Sequence, residues 1–213
     1  MTISAVDLAS LLCSQLCHDL LSPVGALNNG LELLADETDP AMRERCMELL
    51  AESARTSAAK LKFFRLAFGA AGGFGEAIDP REARAAIEGL FGDKGRLQVE
   101  WLVEDERLSK GAVKVLCILS MIAGDALVRG GQLDIGAEEE GGAVEIVVRA
   151  TGPRIALDEE LRSTLMHGHA GDAPGPRAAP AYLVHALVEQ AGGKVMVTDV
   201  EGGVLFGAAM RAE

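Results

Sequence analysis

The chain has 213 residues, of which 32 are acidic and 20 basic, and its formal net charge is -12. This length suits one large domain or two small ones, and a content of 49% hydrophobic and 24% charged residues excludes disordered and fibrous proteins. The acidic balance, with aromatic residues at only 4%, argues against nucleic acids and anionic membrane surfaces as partners.

No stretch of the sequence approaches the roughly 20 apolar residues that cross a bilayer, and the N-terminus lacks the pattern of a signal peptide. We therefore expect a cytoplasmic protein. The four cysteines, Cys13, Cys17, Cys46 and Cys117, form no CxxC pair and lie in helix-like segments. In a reducing compartment we expect free thiols and no bound metal.

The first two predicted elements are long helices. In each, apolar or small side chains recur at alternating steps of four and three, which is typical of a coiled-coil seam. The first seam consists of Val6, Ser10, Cys13, Cys17, Leu20, Val24, Leu27, Leu31 and Leu34, and the second of Met47, Leu50, Ala54, Ser57, Leu61, Phe64 and Phe68. Two helices of roughly 30 residues cannot cover each other's apolar faces, so we expect two hairpins to form a dimeric four-helix bundle.

A glycine-rich segment follows the second helix. Four of the seven residues from Gly69 to Gly75 are glycines, which makes a continued helix improbable and indicates a flexible connection. We therefore predict a helical hairpin over residues 1–70, a hinge over 71–76 and a second domain over 77–213.

The second domain mixes helices and strands. Asp79 and Pro80 resemble an N-cap followed by a proline at the first helical position, and Glu138 to Glu140 are expected in a solvated hairpin turn. The predicted helices are Pro80–Phe91, Ser109–Val128, Asp158–Met166 and Ala179–Gln190, and the predicted strands are Arg96–Val103, Gln132–Ala137, Val144–Ala150, Lys194–Asp199 and Val204–Met210. This order predicts an α+β sandwich with one helical layer.

The most chemically specific segment lies in the first helix and contains His18, Asp19 and Pro23. His18 sits one position past the apolar seam, at the edge of the predicted core. The neighbours on its side of the helix are mostly small or polar: Ser14, Leu21, Ser22, Gly25, Asn28 and Asn29. Another protein could therefore reach this histidine, although a lone histidine on an amphipathic helix is more often simply solvated.

Pro23 is an irregularity in the same helix. It cannot donate a hydrogen bond to the carbonyl of Asp19, and its ring crowds that carbonyl. We expect the helix to bend or loosen just beneath His18.

His18, Asp19, Leu20 and Pro23 resemble the phosphoacceptor box of dimerising histidine kinases and histidine phosphotransferases. The resemblance implies that a neutral imidazole nitrogen of His18 attacks a phosphoryl group and forms a phosphohistidine. It further implies that Asp19 orients the ring or stabilises its developing charge, and that Ser22 has a supporting polar role.

The second domain resembles the ATP-binding domain of histidine kinases, so the implied fold is a helical hairpin followed by a kinase-ATPase-like α/β sandwich. The resemblance is carried by residues 126–133 and 150–155. It departs from the kinase pattern where ATP would bind. Where kinases have the two asparagines of the N box, one of which holds magnesium, this chain has Ile118 and Ile122. Where they have the adenine-binding aspartate and the second glycine of the glycine box, it has Ala150 and Arg154. We therefore expect this chain to bind neither ATP nor a metal.

This combination resembles the ChpT family of histidine phosphotransferases. It implies an enzyme that passes phosphate from the receiver domain of a CckA-like hybrid kinase, through His18, to CtrA-like and CpdR-like response regulators of a cell-cycle phosphorelay. The receiver, and not this chain, would hold Mg²⁺. A divergent ATP-dependent histidine kinase and a non-catalytic dimeric adaptor that binds receivers are the alternatives.

We expect partners to dock on the small-residue face around His18 and on the facing part of the second helix near Lys60 and Phe63. The alternative is that Lys60 is merely solvated and that Phe63 packs within the dimer. Arg154 could form a second contact, because a domain relieved of ATP binding can serve for recognition.

Overall fold

The computed structural model describes residues 3–69, 77–92, 96–169 and 175–212. The predicted hinge at 71–76 lies outside the described residues. The helices are α1 (Ala5–Asp36), α2 (Pro40–Ala67), α3 (Pro80–Phe91), α4 (Lys110–Ala126), α5 (Glu159–His167) and α6 (Ala179–Gln190), with a short 3₁₀ helix at Pro176–Ala178. The strands are β1 (Ala77–Ile78), β2 (Leu97–Trp101), β3 (Leu108–Ser109), β4 (Gly131–Glu140), β5 (Ala143–Thr151), β6 (Lys194–Val200) and β7 (Gly203–Arg211).

Helices α1 and α2 form the predicted hairpin. Helix α2 begins with Pro40 after Asp39, whose side chain accepts hydrogen bonds from the first free backbone N–H groups. Arg43 closes the connection, because its guanidinium donates to the carbonyls of Leu34 and Glu37 at 3.0 and 2.7 Å. The sequence prediction of a helical hairpin is confirmed.

The second part of the chain is built on a five-stranded sheet in the order β2-β4-β5-β7-β6. Strands β2 and β4 are parallel, and the other neighbours are antiparallel. The two-residue strands β1 and β3 form a separate antiparallel pair that the sequence pattern did not reveal, because two residues show no periodicity.

The helices cover one face of this sheet. Alternate residues of β5 are buried from Val144 to Ala150, which is the pattern of a strand with one face in the core. Helix α4 is buried along most of its length, as its nearly unbroken apolar sequence requires. The predicted α/β sandwich with one helical layer is confirmed.

The acidic run Glu138–Glu140 differs from its prediction. It forms the end of β4, paired with β5, and the turn is made by Gly141 and Gly142 at positive φ of 60° and 80°. Glu139 is held there because its carboxylate accepts a hydrogen bond from the backbone N–H of Ser109 at 2.8 Å. The predicted turn is wrong at these residues because they pair with β5, although Glu138 and Glu140 are exposed as predicted.

The hairpin and the sandwich share one hydrophobic core. Phe63, Phe64, Leu66 and Ala67, at the end of α2, belong to the same buried cluster as the side chains of α4. Phe63 is fully buried. The C-terminal end of α2 therefore packs in the same core as the sandwich. Within the described ranges, no helix is long and apolar enough to span a membrane.

The glycine between α4 and β4 should contribute strongly to stability. Gly130 has a φ of 78°, and a Cβ there would lie 1.9 Å from the carbonyl oxygen of Arg96. We predict that Gly130→Ala lowers the free energy of unfolding by about 3 kcal/mol, because a left-handed residue costs about 1 kcal/mol and the backbone must also shift. Urea denaturation measures this.

Gly141→Ala is the matched control. Gly141 also has a positive φ of 60°, but nothing lies within 4 Å of its added Cβ. This variant should lose only about 1 kcal/mol. Equal losses in the two variants would contradict the steric argument.

Candidate functional site

His18 projects from the middle of α1 into solvent. Its side chain is 82% exposed, whereas that of Asp19 is only 26% exposed. The imidazole Nδ1 lies 3.4 Å from Asp19 Oδ1. With Nδ1 protonated and facing the carboxylate, the lone pair of Nε2 is available to a reacting group.

Asp19 is held in place by its own helix. Gln15, one turn earlier, donates from Nε2 to Asp19 Oδ2 at 3.1 Å. The carboxylate therefore has one oxygen beside His18 and the other on Gln15. Sequence reasoning missed Gln15, although its spacing of four residues from Asp19 on one helix face was a usable signal.

Lys60 repairs the backbone defect that Pro23 creates. Pro23 has no N–H to offer the carbonyl of Asp19, and the Lys60 ammonium on α2 donates to that carbonyl at 2.8 Å instead. Lys60 is half-buried and bonded to this carbonyl, so it is not merely solvated, and its part in docking stays a prediction. The predicted loosening beneath His18 is thus offset by a bond from the other helix of the hairpin.

Asp125, on the last turn of α4, brings a second carboxylate to this cluster. Desolvation by the surrounding protein and, second, the charge of Asp19 raise the pKa of Asp125 to about 6, although the Lys60 ammonium acts in the opposite direction. The residue is nevertheless exposed at the surface of the single chain. Sequence reasoning missed Asp125 because only the tertiary fold brings it to α1.

The other predicted residues around His18 lie on an open face. Ser14, Leu21, Ser22, Asn28 and Asn29 are exposed, and Gly25 is half-buried. Phe63 does not belong to this surface. It is fully buried in the core that joins the hairpin to the sandwich, because its ring packs where α2 meets the second part of the chain.

Three of the four positions that the sequence analysis compared with the kinase ATP site are apolar and buried. Ile118 and Ala150 are fully buried and Ile122 is 4% exposed, all within the hydrophobic core. Arg154 is exposed. These side chains offer no oxygen ligand to a metal and no acceptor to an adenine amino group. Within the described ranges, no three His, Cys, Asp or Glu side chains form a group that could hold a metal ion.

Comparisons with known proteins agree over most of the chain. Residues 80–203 match the family model of the histidine phosphotransferase C-terminal domain. The protein phosphotransferase ChpT of Brucella abortus (strain 2308) is 34% identical over 211 residues, which cover 97% of each chain. A solved structure described as a bacterial phosphotransferase is 33% identical, with a TM-score of 0.85 over 98% of each chain.

The bond from Lys60 should depend on Pro23. We predict that Lys60→Met lowers the free energy of unfolding by about 1 to 2 kcal/mol, because it leaves the Asp19 carbonyl without a donor. In a Pro23→Ala background, the new backbone N–H can serve that carbonyl, and the same substitution should cost about 1 kcal/mol less. Urea denaturation of the four proteins gives this coupling energy.

The double-mutant cycle cancels the effects that Pro23→Ala has on helix propensity and packing. Additive losses would mean that Lys60 does not replace the missing donor.

Proposed function

This chain belongs to the family of ChpT-like histidine phosphotransferases, and from that premise we propose that His18 is the residue that carries the phosphoryl group. The chain is thus a protein histidine phosphotransferase of a phosphorelay. The observation that supports the assignment is the geometry of His18: its side chain is 82% exposed, and its Nδ1 lies beside the carboxylate of Asp19.

In the proposed reaction, the lone pair of Nε2 attacks the phosphorus of an aspartyl phosphate on a partner receiver. An N–P bond forms, and the bond from phosphorus to the receiver's carboxylate oxygen breaks, so that the free carboxylate leaves. The imidazole becomes cationic, and the Asp19 carboxylate at Nδ1 stabilises that charge. The reverse reaction with a second receiver passes the group on.

The surface around His18 supports a protein as the phosphoryl donor. Gly25 lies two turns beyond His18, and a Cβ there would meet nothing within 4 Å in this chain. Glycine within a helix costs about 1 kcal/mol relative to alanine, and the packing of this chain does not require it. Close approach of a partner domain to the helix backbone would require a glycine at this position.

The buried apolar residues at the former ATP positions support a reaction without ATP. Ile118, Ile122 and Ala150 are packed in the core, so binding a nucleotide there would require core side chains to move into solvent. The donor and acceptors in this proposal are receiver domains, CckA-like, CtrA-like and CpdR-like, of a cell-cycle phosphorelay. Each receiver supplies its own Mg²⁺.

The exposed residues of the hairpin support a homodimer. Cys17, Val24 and Leu31 on α1, and Met47, Ala54 and Leu61 on α2, are spaced by seven and exposed. The alternate seam positions Leu20, Leu27 and Leu34 are half-buried. Each helix thus uses one stripe within the hairpin and leaves the other uncovered, as a helix of a four-helix bundle does.

Transfer from a phosphorylated receiver tests the reaction. Purified protein mixed with a ³²P-labelled receiver should acquire label, and His18→Ala should acquire none. Incubated with labelled ATP alone, the protein should remain unlabelled. Ser14→Ala on the same face serves as a control for folding and docking, and it should retain transfer within about threefold because it removes only a rim contact.

Each alternative has its own outcome in this experiment. Label from ATP alone would favour a histidine kinase. Receiver binding that survives His18→Ala, together with no transfer by the parent chain, would favour an adaptor. Label retained by His18→Ala would reject His18 as the acceptor.

The dimer is tested by a charge on the exposed stripe. Leu31 is 57% exposed in the single chain, and we predict that Leu31→Glu raises the dimer dissociation constant at least tenfold, because a carboxylate would be buried in the bundle. Sedimentation velocity measures this. Met196→Glu, at a 58% exposed site on β6, should leave the dimer intact. A parent chain that sediments as a monomer at micromolar concentration would refute the dimer.

A further inference from the structure

His18 does not orient the carboxylate of Asp19 by itself. The distance of 3.4 Å between His18 Nδ1 and Asp19 Oδ1 is long, because well-formed N–H···O bonds measure about 2.7 to 3.2 Å. The imidazole is also 82% exposed, so water competes for both of its nitrogens. The direction of the carboxylate must therefore be set by another group.

Gln15 supplies that group. Its Nε2 donates to Asp19 Oδ2 at 3.1 Å, from a position one turn earlier on the same face of α1. The amide must present its NH₂ group here, because a carboxylate can only accept. The oxygen that Gln15 binds is the one that does not face His18, so the bond leaves Oδ1 directed at the imidazole.

The pair of Gln15 and Asp19 lies at the border of the covered side of α1. Both residues are half-buried, and the adjacent Leu16 and Leu20 pack against the hydrophobic core. The backbone carbonyl of Asp19 accepts a bond from Lys60 at 2.8 Å. Asp19 is thus held through its backbone by α2 and through its side chain by Gln15. A bond that is partly shielded from water orients its partners better than an exposed one.

We propose that Gln15 is a positioning residue of the phosphotransfer site, which sets the tautomer of His18 through Asp19. This inference rests on the proposed function of His18. With Oδ1 held beside Nδ1, the ring carries its proton on Nδ1 and its lone pair on Nε2. Gln15 thereby selects Nε2 as the nitrogen that attacks phosphorus.

The same arrangement stabilises the phosphorylated form. When Nε2 bonds to phosphorus, the imidazole becomes cationic, and the bond from Nδ1–H to Asp19 Oδ1 becomes charge-assisted at both ends, which shortens and strengthens it. A carboxylate that Gln15 has already aimed at Nδ1 need not rotate as this charge develops. Such preorganisation lowers the barrier to the reaction.

Gln15→Met in the full chain tests the proposal, because methionine keeps the length and helix propensity of glutamine without its donor. We expect the rate of transfer from a ³²P-labelled receiver to fall roughly tenfold, as when a reacting group is misplaced. The ¹⁵N spectrum of histidine-labelled protein, in which the signals of His18 are those lost in His18→Ala, should show a larger fraction of the Nε2–H tautomer. Receiver affinity, measured by calorimetry, and the melting temperature should stay close to those of the parent.

Three further variants complete the experiment. Gln15→Lys keeps a donor one turn before Asp19 and should recover most of the rate. In an Asp19→Asn background, Gln15→Met should cause little additional loss, because the carboxylate that Gln15 holds is gone. Gln132→Met is the matched control. It removes a bond of the same kind, from Nε2 to Asp134 Oδ1 at 2.6 Å on β4, and it should show the rate and tautomer of the parent.

The outcomes separate the two levels of the argument. A parent chain that accepts no phosphate would overturn the proposed function, whatever the Gln15 variants do. If the parent transfers through His18, a Gln15→Met variant with the rate and tautomer of the parent overturns the positioning role. So does a variant whose rate falls while its tautomer ratio is unchanged, because Gln15 would then act on folding or docking and not on the imidazole.

Discussion

The hydrogen bond from the Lys60 ammonium to the carbonyl of Asp19 links the chemistry of this chain to its architecture. A proline inside a helix removes one backbone bond and crowds the carbonyl four residues earlier, at a cost of about 3 kcal/mol. Here that carbonyl belongs to Asp19, and the 2.8 Å bond from Lys60 recovers part of the cost. The turn that carries His18 is consequently fixed by α2 as well as by its own helix. Its geometry can respond to anything that moves α2.

The shared core makes α2 sensitive to the sandwich. One turn after Lys60, Phe63 is fully buried, and it belongs to the same apolar cluster as the side chains of α4. Burying a phenylalanine contributes about 2 to 3 kcal/mol to stability. The C-terminal end of α2 is therefore anchored far more strongly than its exposed N-terminal part. The sandwich is thus the support that sets where Lys60 lies. This physical role of the sandwich needs no bound ligand.

Local patterns predicted much of this structure, and contacts between distant segments account for the rest. The cap at Asp79, the start of α4 near Ser109 and the apolar repeats of α1 and α2 depend on neighbouring residues, so the sequence predicted them closely. The same periodicity placed His18 and Asp19 in α1, and their role in phosphotransfer stays a prediction from the family resemblance. Sequence reasoning assigned the fully buried Phe63 to a docking surface because helix periodicity does not show which side a second domain covers. Asp125 gave no signal at all, since its neighbours in the cluster are more than sixty positions away along the chain.

The exposed apolar stripes on α1 and α2 bear on how firmly the helix that carries His18 is held. Val24 and Leu31 are 42% and 57% exposed, on the same helix that bears His18. Exposing such a stripe to water costs roughly 25 cal/mol per Å² of apolar surface. A second hairpin packed on the stripe would remove this cost. In such a bundle, α1 would be held along three sides: by α2, by the sandwich and by the partner. His18 would occupy the remaining side. A helix restrained in this way would offer its imidazole to a receiver with little conformational freedom left to lose, which lowers the entropic cost of the transfer step.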